Sequence, residues 1–142
     1  MSNFTRFFKQ NKIKRENTNY VVTKSLVDEN GKPLEWEIKP LTTEEDEKIR
    51  DACMYEVQET GKKNSFKQKF NVTKYICKML CACVVYPNLH DKELQDSYGV
   101  MTPEDLLKAI VDNPAEYDAF ASFVQEYNGN TSLETKVEEI KN

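Results

Sequence analysis

Apolar positions are densest along Tyr75-Ile-Cys-Lys-Met-Leu-Cys-Ala-Cys-Val-Val-Tyr86, immediately before Pro87. After Lys78 no charged residue occurs until Asp91. The pairs Tyr75/Ile76, Met79/Leu80 and Cys83/Val84 recur every four residues, which is helical spacing and not strand alternation. Lys74 and Lys78 share a stripe that continues as Cys81 and Val85. The spacing predicts a central helix over 75–86, with a wet face in its first half and its second half enclosed on all sides. Other elements must wrap such a helix.

On the N-terminal side, Phe4, Phe7 and Phe8 stand at helical spacing among Arg6, Lys9, Lys12, Lys14 and Arg15. Two readings fit: a short amphipathic helix docked on the core, or an arm ordered by a partner. Residues 20–39 read as a β-hairpin. Tyr20 to Val27 is rich in β-formers, and Asp28-Glu-Asn-Gly31 supplies a turn in which Asn30 and Gly31 tolerate positive φ. The return strand alternates, with Leu34, Trp36 and Ile38 on one face and Glu35, Glu37 and Lys39 on the other. That apolar face needs a receiver, and the central helix is the expected one.

Pro40 stops the strand. Thr42, with Glu45 three residues on, has capping-box spacing, and Glu44, Glu45 and Asp46 make an acidic first turn. Ile49, Ala52, Cys53 and Val57 are the expected buried stripe of that helix. Gly61–Ser65 reads as a loop, Phe66–Phe70 as an extended or turn segment, and Asn71 as the N-cap of the central helix. Past Pro87, Asp91 caps a two-turn helix ended by Gly99. Thr102-Pro-Glu-Asp105 opens a helix carrying Leu106, Leu107, Ile110 and Val111. Asn113-Pro114 opens one lined by Tyr117, Phe120, Ala121, Val124 and Tyr127, ending at Gly129. Ser132 starts a tail helix with Leu133, Val137 and Ile140 at i, i+4 and i+7. The fold class is α+β, mainly α: an N-terminal β-hairpin packed on a bundle of about five or six helices. The chain, 1–142, is read as a single domain comprising an arm or short helix (1–19), the hairpin (20–39), a helical core (42–129) and a C-terminal tail helix (130–142).

Composition adds limits. Charged residues are 31% and hydrophobic residues 39%, and seven Phe, seven Tyr and one Trp supply bulk for a core. A net charge of −4 argues against a nucleic-acid partner, for which a basic face is expected. No uncharged apolar run approaches the ~20 residues of a membrane span, and the charge-interrupted N-terminus does not read as a secretory signal. Four cysteines, three of them within one predicted helix, suit a reducing, cytosolic setting better than a disulfide framework.

Cys77, Cys81 and Cys83 invite a metal reading, with His90 and Cys53 as further ligands. Cys77 and Cys81 share a helical face, but Cys83 points roughly 160° away from Cys81. No paired Cys-x-x-Cys knuckle exists, so buried structural thiols are the expectation. His90, the single histidine, lies in a polar turn without a nucleophile motif, and four scattered glycines make no phosphate loop. No cofactor and no catalytic residue are expected.

Val84-Val-Tyr-Pro-Asn-Leu89, followed by Glu93-Leu-Gln-Asp-Ser-Tyr-Gly-Val-Met101, resembles the XkdN-like tail assembly chaperones of PBSX-type phages and prophages. Asp28-Glu-Asn-Gly-Lys-Pro33 with Trp36-Glu-Ile-Lys39, Cys53, Leu106-Leu107, Glu116-Tyr117 and Val124-Gln-Glu126 extend the resemblance in the same order. Asp112-Asn-Pro-Ala115 and Asn130-Thr131 depart from the family pattern. The resemblance implies a non-enzymatic protein of the bacterial host cytoplasm that coats the phage tape measure protein. It would keep that protein soluble during tail morphogenesis and be absent from the mature virion. A virion tail component or adaptor is the alternative. The candidate contact residues are Phe4, Phe7, Phe8, Leu133, Val137 and Ile140, available to the tape measure protein or to self-association.

Overall fold

The computed structural model describes residues 3–61 and 63–129. The helix at its centre, α2 (Val72–Cys83), starts where expected. The Asn71 side chain accepts from the Lys74 amide and satisfies one of the helix's orphan N–H groups. Tyr75, Cys77, Met79, Leu80 and Cys83 are buried, while Lys74 on the opposite face is exposed. Three helices pack on it: α1 (Thr43–Ala52), α4 (Pro103–Ile110) and α5 (Pro114–Tyr127). A two-turn helix, α3 (Lys92–Ser97), links α2 to α4.

The helix ends earlier than its apolar run. Val84–Tyr86 forms β5, the third strand of a sheet ordered β1-β2-β5, with β1 at Thr18–Tyr20 and β2 at Trp36–Ile38. Two β-branched residues and an aromatic favour extended backbone, and Pro87 disfavours α geometry at Tyr86. The free edge of β2 takes them up, pairing Glu37 with Tyr86 and Ile38 with Val84 antiparallel. The expectation that the second half of the 75–86 run is enclosed on all sides is corrected accordingly. Leu80 and Cys83 are buried, Cys81 is half-buried, and Val85 and Tyr86 are exposed. The Tyr86–Pro87 peptide is cis.

The predicted hairpin acquires this third strand and is only partly a ladder. Tyr20 pairs with Trp36 and Thr18 with Ile38. Beyond Trp36 toward the tip only a Val27–Pro33 bridge remains. The Asp28 side chain organises the tip by accepting from the Asn30 and Lys32 amides, and Gly31 alone in the turn takes positive φ, at 80°. Trp36 and Ile38 are buried as the alternation requires, but Leu34 is exposed. The aromatic neighbour of Trp36 is Phe120 of α5, edge-on at 6.1 Å, not a residue of α2. Tyr20 stacks on Phe123 at 4.0 Å and so extends the same contact.

A second correction concerns residues 53–70. The expected helix stripe through Val57 is broken after Ala52. Met54–Gln58 forms β3 and Phe66–Phe70 forms β4, an antiparallel pair in register from Met54–Phe70 to Gln58–Phe66. Of the predicted stripe only Cys53 is fully buried; Ile49 and Val57 are half-buried and Ala52 is exposed. The break is held from outside the local sequence, because the Asn71 amide donates to the Cys53 carbonyl at 2.9 Å. Gly61 (φ 79°) and Asn64 (φ 62°) shape the turn between the strands. The molecule is therefore a mixed α+β protein, with five α-helices and two small sheets among the described residues.

The other helix starts follow local side-chain chemistry. Thr42 and Glu45 form the reciprocal capping box, Asp91 caps α3, Thr102 caps α4 and Asn113 caps α5. Leu106, Leu107, Ile110, Phe120 and Val124 then fill the core against α2. The predicted tail helix, with Leu133, Val137 and Ile140, lies outside the described residues.

Candidate functional site

The N-terminal arm is built from two 3-10 turns, Asn3–Phe7 and Lys9–Asn11, stabilised by the Asn11 side chain donating to the Thr5 carbonyl at 2.7 Å. No residue of either turn is buried. Phe4 meets Phe8 edge-on at 5.5 Å and Phe7 at 6.5 Å, so the predicted aromatic trio forms one cluster. Its rings remain in water, with Phe7 85% and Phe4 68% exposed. Ile13, which the spacing argument passed over, is 90% exposed.

The arm is tied down at its C-terminal end. Arg15 donates to the Leu41 carbonyl at 2.5 Å, and Asn17 donates to Glu37 at 2.7 Å. Leu41, buried in the link between β2 and α1, uses its own amide to reach Asn128 Oδ1 at 2.7 Å. Asn128 closes α5. Its side-chain amide donates to the Val124 carbonyl at 2.9 Å and lies 4.0 Å from Cys83 Sγ. Arm, β2–α1 link, α2 and α5 thus meet at one junction.

Two open grooves flank this junction. One, of about 370 Å³, is lined by Lys12, Arg15, Thr42, Asp46, Tyr75 and Asn128 among others. The other, of about 290 Å³, places Ile13, Pro40 and Thr42 among the cations Lys9, Lys12, Lys14 and Arg15. Described residues from the two ends of the chain therefore share one surface. Asn128 lies on the groove wall, one position before the described segment stops. Phe4, Phe7 and Phe8 lie outside both linings. Leu133, Val137 and Ile140 lie outside the described residues.

Electrostatics stiffen the groove wall. The Asp46 carboxylate accepts from the Tyr75 hydroxyl and from Arg50 Nε at 2.8 Å, and the Arg50 guanidinium lies over the Tyr75 ring at 4.7 Å. Burial alone would raise the Asp46 pKa; the bonds from Tyr75 and Arg50 outweigh it and hold it below its ordinary 3.8. The Tyr75 phenol is pushed up to about 12 by burial and by its bond to Asp46. Beside it, the hydrogen bond from Lys39 at 2.6 Å holds the Glu45 carboxyl below its usual range.

Cys77 and Cys81 lie elsewhere on α2, toward α4. Cys77 is buried, and its thiol donates to the Glu104 carbonyl at 3.8 Å. A side-chain hydrogen bond between Cys77 and Cys81, the largest influence, lowers the Cys77 pKa and raises that of Cys81. Cys83 is wholly buried, and its thiol is pushed up to about 11 by burial. Among the described residues no group of three or more His, Cys, Asp or Glu side chains is placed to hold a metal ion. His90 is exposed. No described helix is long and apolar enough to cross a membrane.

Sequence reasoning missed Ile13, Asn128 and the exposed Met54, Tyr55 and Phe66 of the β3–β4 hairpin. The one local signal for Asn128 was Asn128-Gly129 at a helix end. Its bond to Leu41 spans the fold and leaves no local trace.

The described surface thus sets two open grooves beside an arm with exposed aromatic rings. The chain belongs to the phage XkdN-like tail assembly chaperone family, whose model matches residues 4–141. The phage-like element PBSX protein XkdN of Bacillus subtilis strain 168 is 24% identical over 133 residues, 92% of this chain and 87% of that protein. The uncharacterized protein YqbN of the same strain is 26% identical over the same shares. The crystal structure of the protein yqbn superposes with a TM-score of 0.75 at 19% identity, covering 92% of this chain and 99% of that one, and shares the fold.

Proposed function

We propose that this tail assembly chaperone binds the phage tape measure protein and keeps it soluble in the host cytoplasm until the tail tube polymerises around it. The chaperone then leaves and is not retained in the virion. The family match over nearly the whole chain carries this reading, and the exposed arm supports it. A long helical ruler is an aggregation hazard while unassembled, because its apolar stripe has no partner. A chaperone that must later let go needs contacts that are spread out and individually weak. An arm with Phe4, Phe7, Phe8 and Ile13 in water fits that demand better than a deep pocket does. The terminal stripe Leu133, Val137 and Ile140 is proposed as the second contact, either with the ruler or with another copy of the chain.

Co-expression with the tape measure protein should shift that protein into the soluble fraction and yield a complex that co-purifies. An unchanged insoluble fraction with no co-purification refutes the reading. Mass spectrometry of purified virions should find the chain absent. Stoichiometric retention would make it a tail component instead.

A further inference from the structure

We infer that the arm and its groove recognise an acidic peptide segment bearing an apolar stripe, so that charge as well as hydrophobicity selects what binds there. The inference rests on the chaperone reading only for the partner's identity; the surface itself supplies the chemistry.

Residues 3–15 contain Arg6, Lys9, Lys12, Lys14 and Arg15 and no acidic residue, in a chain whose net charge is −4. The arm is thus a local run of like charge. Four cations elsewhere sit beside acids: Lys39 with Glu45, Lys48 with Glu44, Arg50 with Asp46 and Lys78 with Glu104. Among the described residues, Arg6, Lys9, Lys12 and Lys14 have no such carboxylate partner. The groove then gathers Lys9, Lys12, Lys14 and Arg15 around Ile13 and Pro40. Four cations set beside the apolar Ile13 and Pro40 complement a segment that alternates carboxylates with apolar side chains.

A nucleic acid would also satisfy the cations. The groove lining, however, holds Ile13 and Pro40 among the cations and none of Phe4, Phe7 and Phe8, so within it a base finds no stacking face while an apolar side chain finds a contact. The peptide therefore fits better.

The test uses the full chain and two synthetic helical peptides of equal length with the same leucine stripe. One carries Glu and the other Lys at its polar positions. Fluorescence anisotropy at low salt should show the Glu peptide binding at least about tenfold more tightly, with the gap narrowing as salt rises. The triple variant Lys9→Glu, Lys12→Glu, Lys14→Glu alters exposed side chains only. It should keep its circular dichroism spectrum and lose or reverse the preference. Equal affinity for the two peptides overturns the inference. So does an unchanged preference in the triple variant, or tighter binding of a single-stranded oligonucleotide than of the Glu peptide. The two readings fail separately. If the tape measure protein co-purifies equally with wild type and triple variant, charge selection falls and the chaperone role stands. If wild type prefers the Glu peptide but captures no tape measure protein, the chaperone role falls and the surface assignment stands.

Discussion

Asn128→Ala tests whether the junction under the arm is a structural keystone. The substitution removes the acceptor of the Leu41 amide, a 2.7 Å bond between residues 87 positions apart, and the donor to Val124. Leu41 is only 8% exposed, so water reaches its amide poorly. A buried donor left without an acceptor costs about 1–3 kcal/mol, whereas the Val124 carbonyl at a helix end is more easily hydrated. A net loss of about 2 kcal/mol is expected. Unfolding entropy of about 2.1 cal/mol/K per residue over 142 residues converts this to a fall in Tm of about 7 °C.

Calorimetry gives the Tm, and amide exchange localises the effect, because the Leu41 amide should lose protection in the variant. Asn113→Ala is the control. It removes the 2.9 Å cap at the other end of α5, should cost about 1 kcal/mol, and should leave Leu41 protected at temperatures where the fold holds. An Asn128→Ala protein that melts within about 1 °C of wild type, with the Leu41 amide still protected, would refute the reasoning.

Cys83, wholly buried beside that junction, should distinguish size from charge. Cys83→Ala should cost about 1–2 kcal/mol in a urea melt, and Cys83→Asp about 3–5 kcal/mol or failure to fold; equal stabilities would place the site outside the core. Asp46 should show in acid. Its folded pKa lies below 3.8, so its contribution is complete above that value and is lost as pH falls through the lower folded one. Asp46→Asn should therefore flatten the acid limb of a Tm–pH curve, and an unchanged limb counts against the Tyr75–Asp46–Arg50 network. Tyr75 gives the opposite sign. Raised from 10.0 to about 12, its contribution is complete below pH 10 and is lost as pH rises toward 12. Tyr75→Phe should remove that alkaline loss, as read from the same curve.

What could be read from the sequence was what side chains decide over one turn. Thr42 with Glu45, Asn71, Asp91, Thr102-Pro103 and Asn113-Pro114 each cap a helix where the residue types require it, because a cap is a bond between near neighbours. Gly99 likewise ends its helix at a positive φ of 69°. The errors fell where distant groups choose between two locally acceptable conformations. Ile49, Ala52, Cys53 and Val57 satisfy helical spacing, and Met54-Tyr-Glu-Val-Gln58 satisfies strand composition. The Asn71 amide on Cys53 and the facing strand Phe66–Phe70 decide for the strand. Val84–Tyr86 is the same case, settled by the open edge of β2.

The candidate surface follows the same rule and shows why its parts were legible when its site was not. The apolar and basic residues of the arm announce themselves, since charge and ring count are local properties. Their anchoring does not. It depends on Arg15 reaching the Leu41 carbonyl while Asn128 takes the Leu41 amide, so that one residue between β2 and α1 is held from both ends of the described chain. Neither bond alone defines a groove. Together they bring the cationic arm beside the end of α5, where Lys12, Arg15 and Asn128 line one wall. A chaperone that gathers remote parts of its chain at one face can spread weak contacts over a wide surface while keeping them in register. Loosening Leu41 should therefore weaken partner binding and stability together, whereas reversing Lys9, Lys12 and Lys14 should change binding alone.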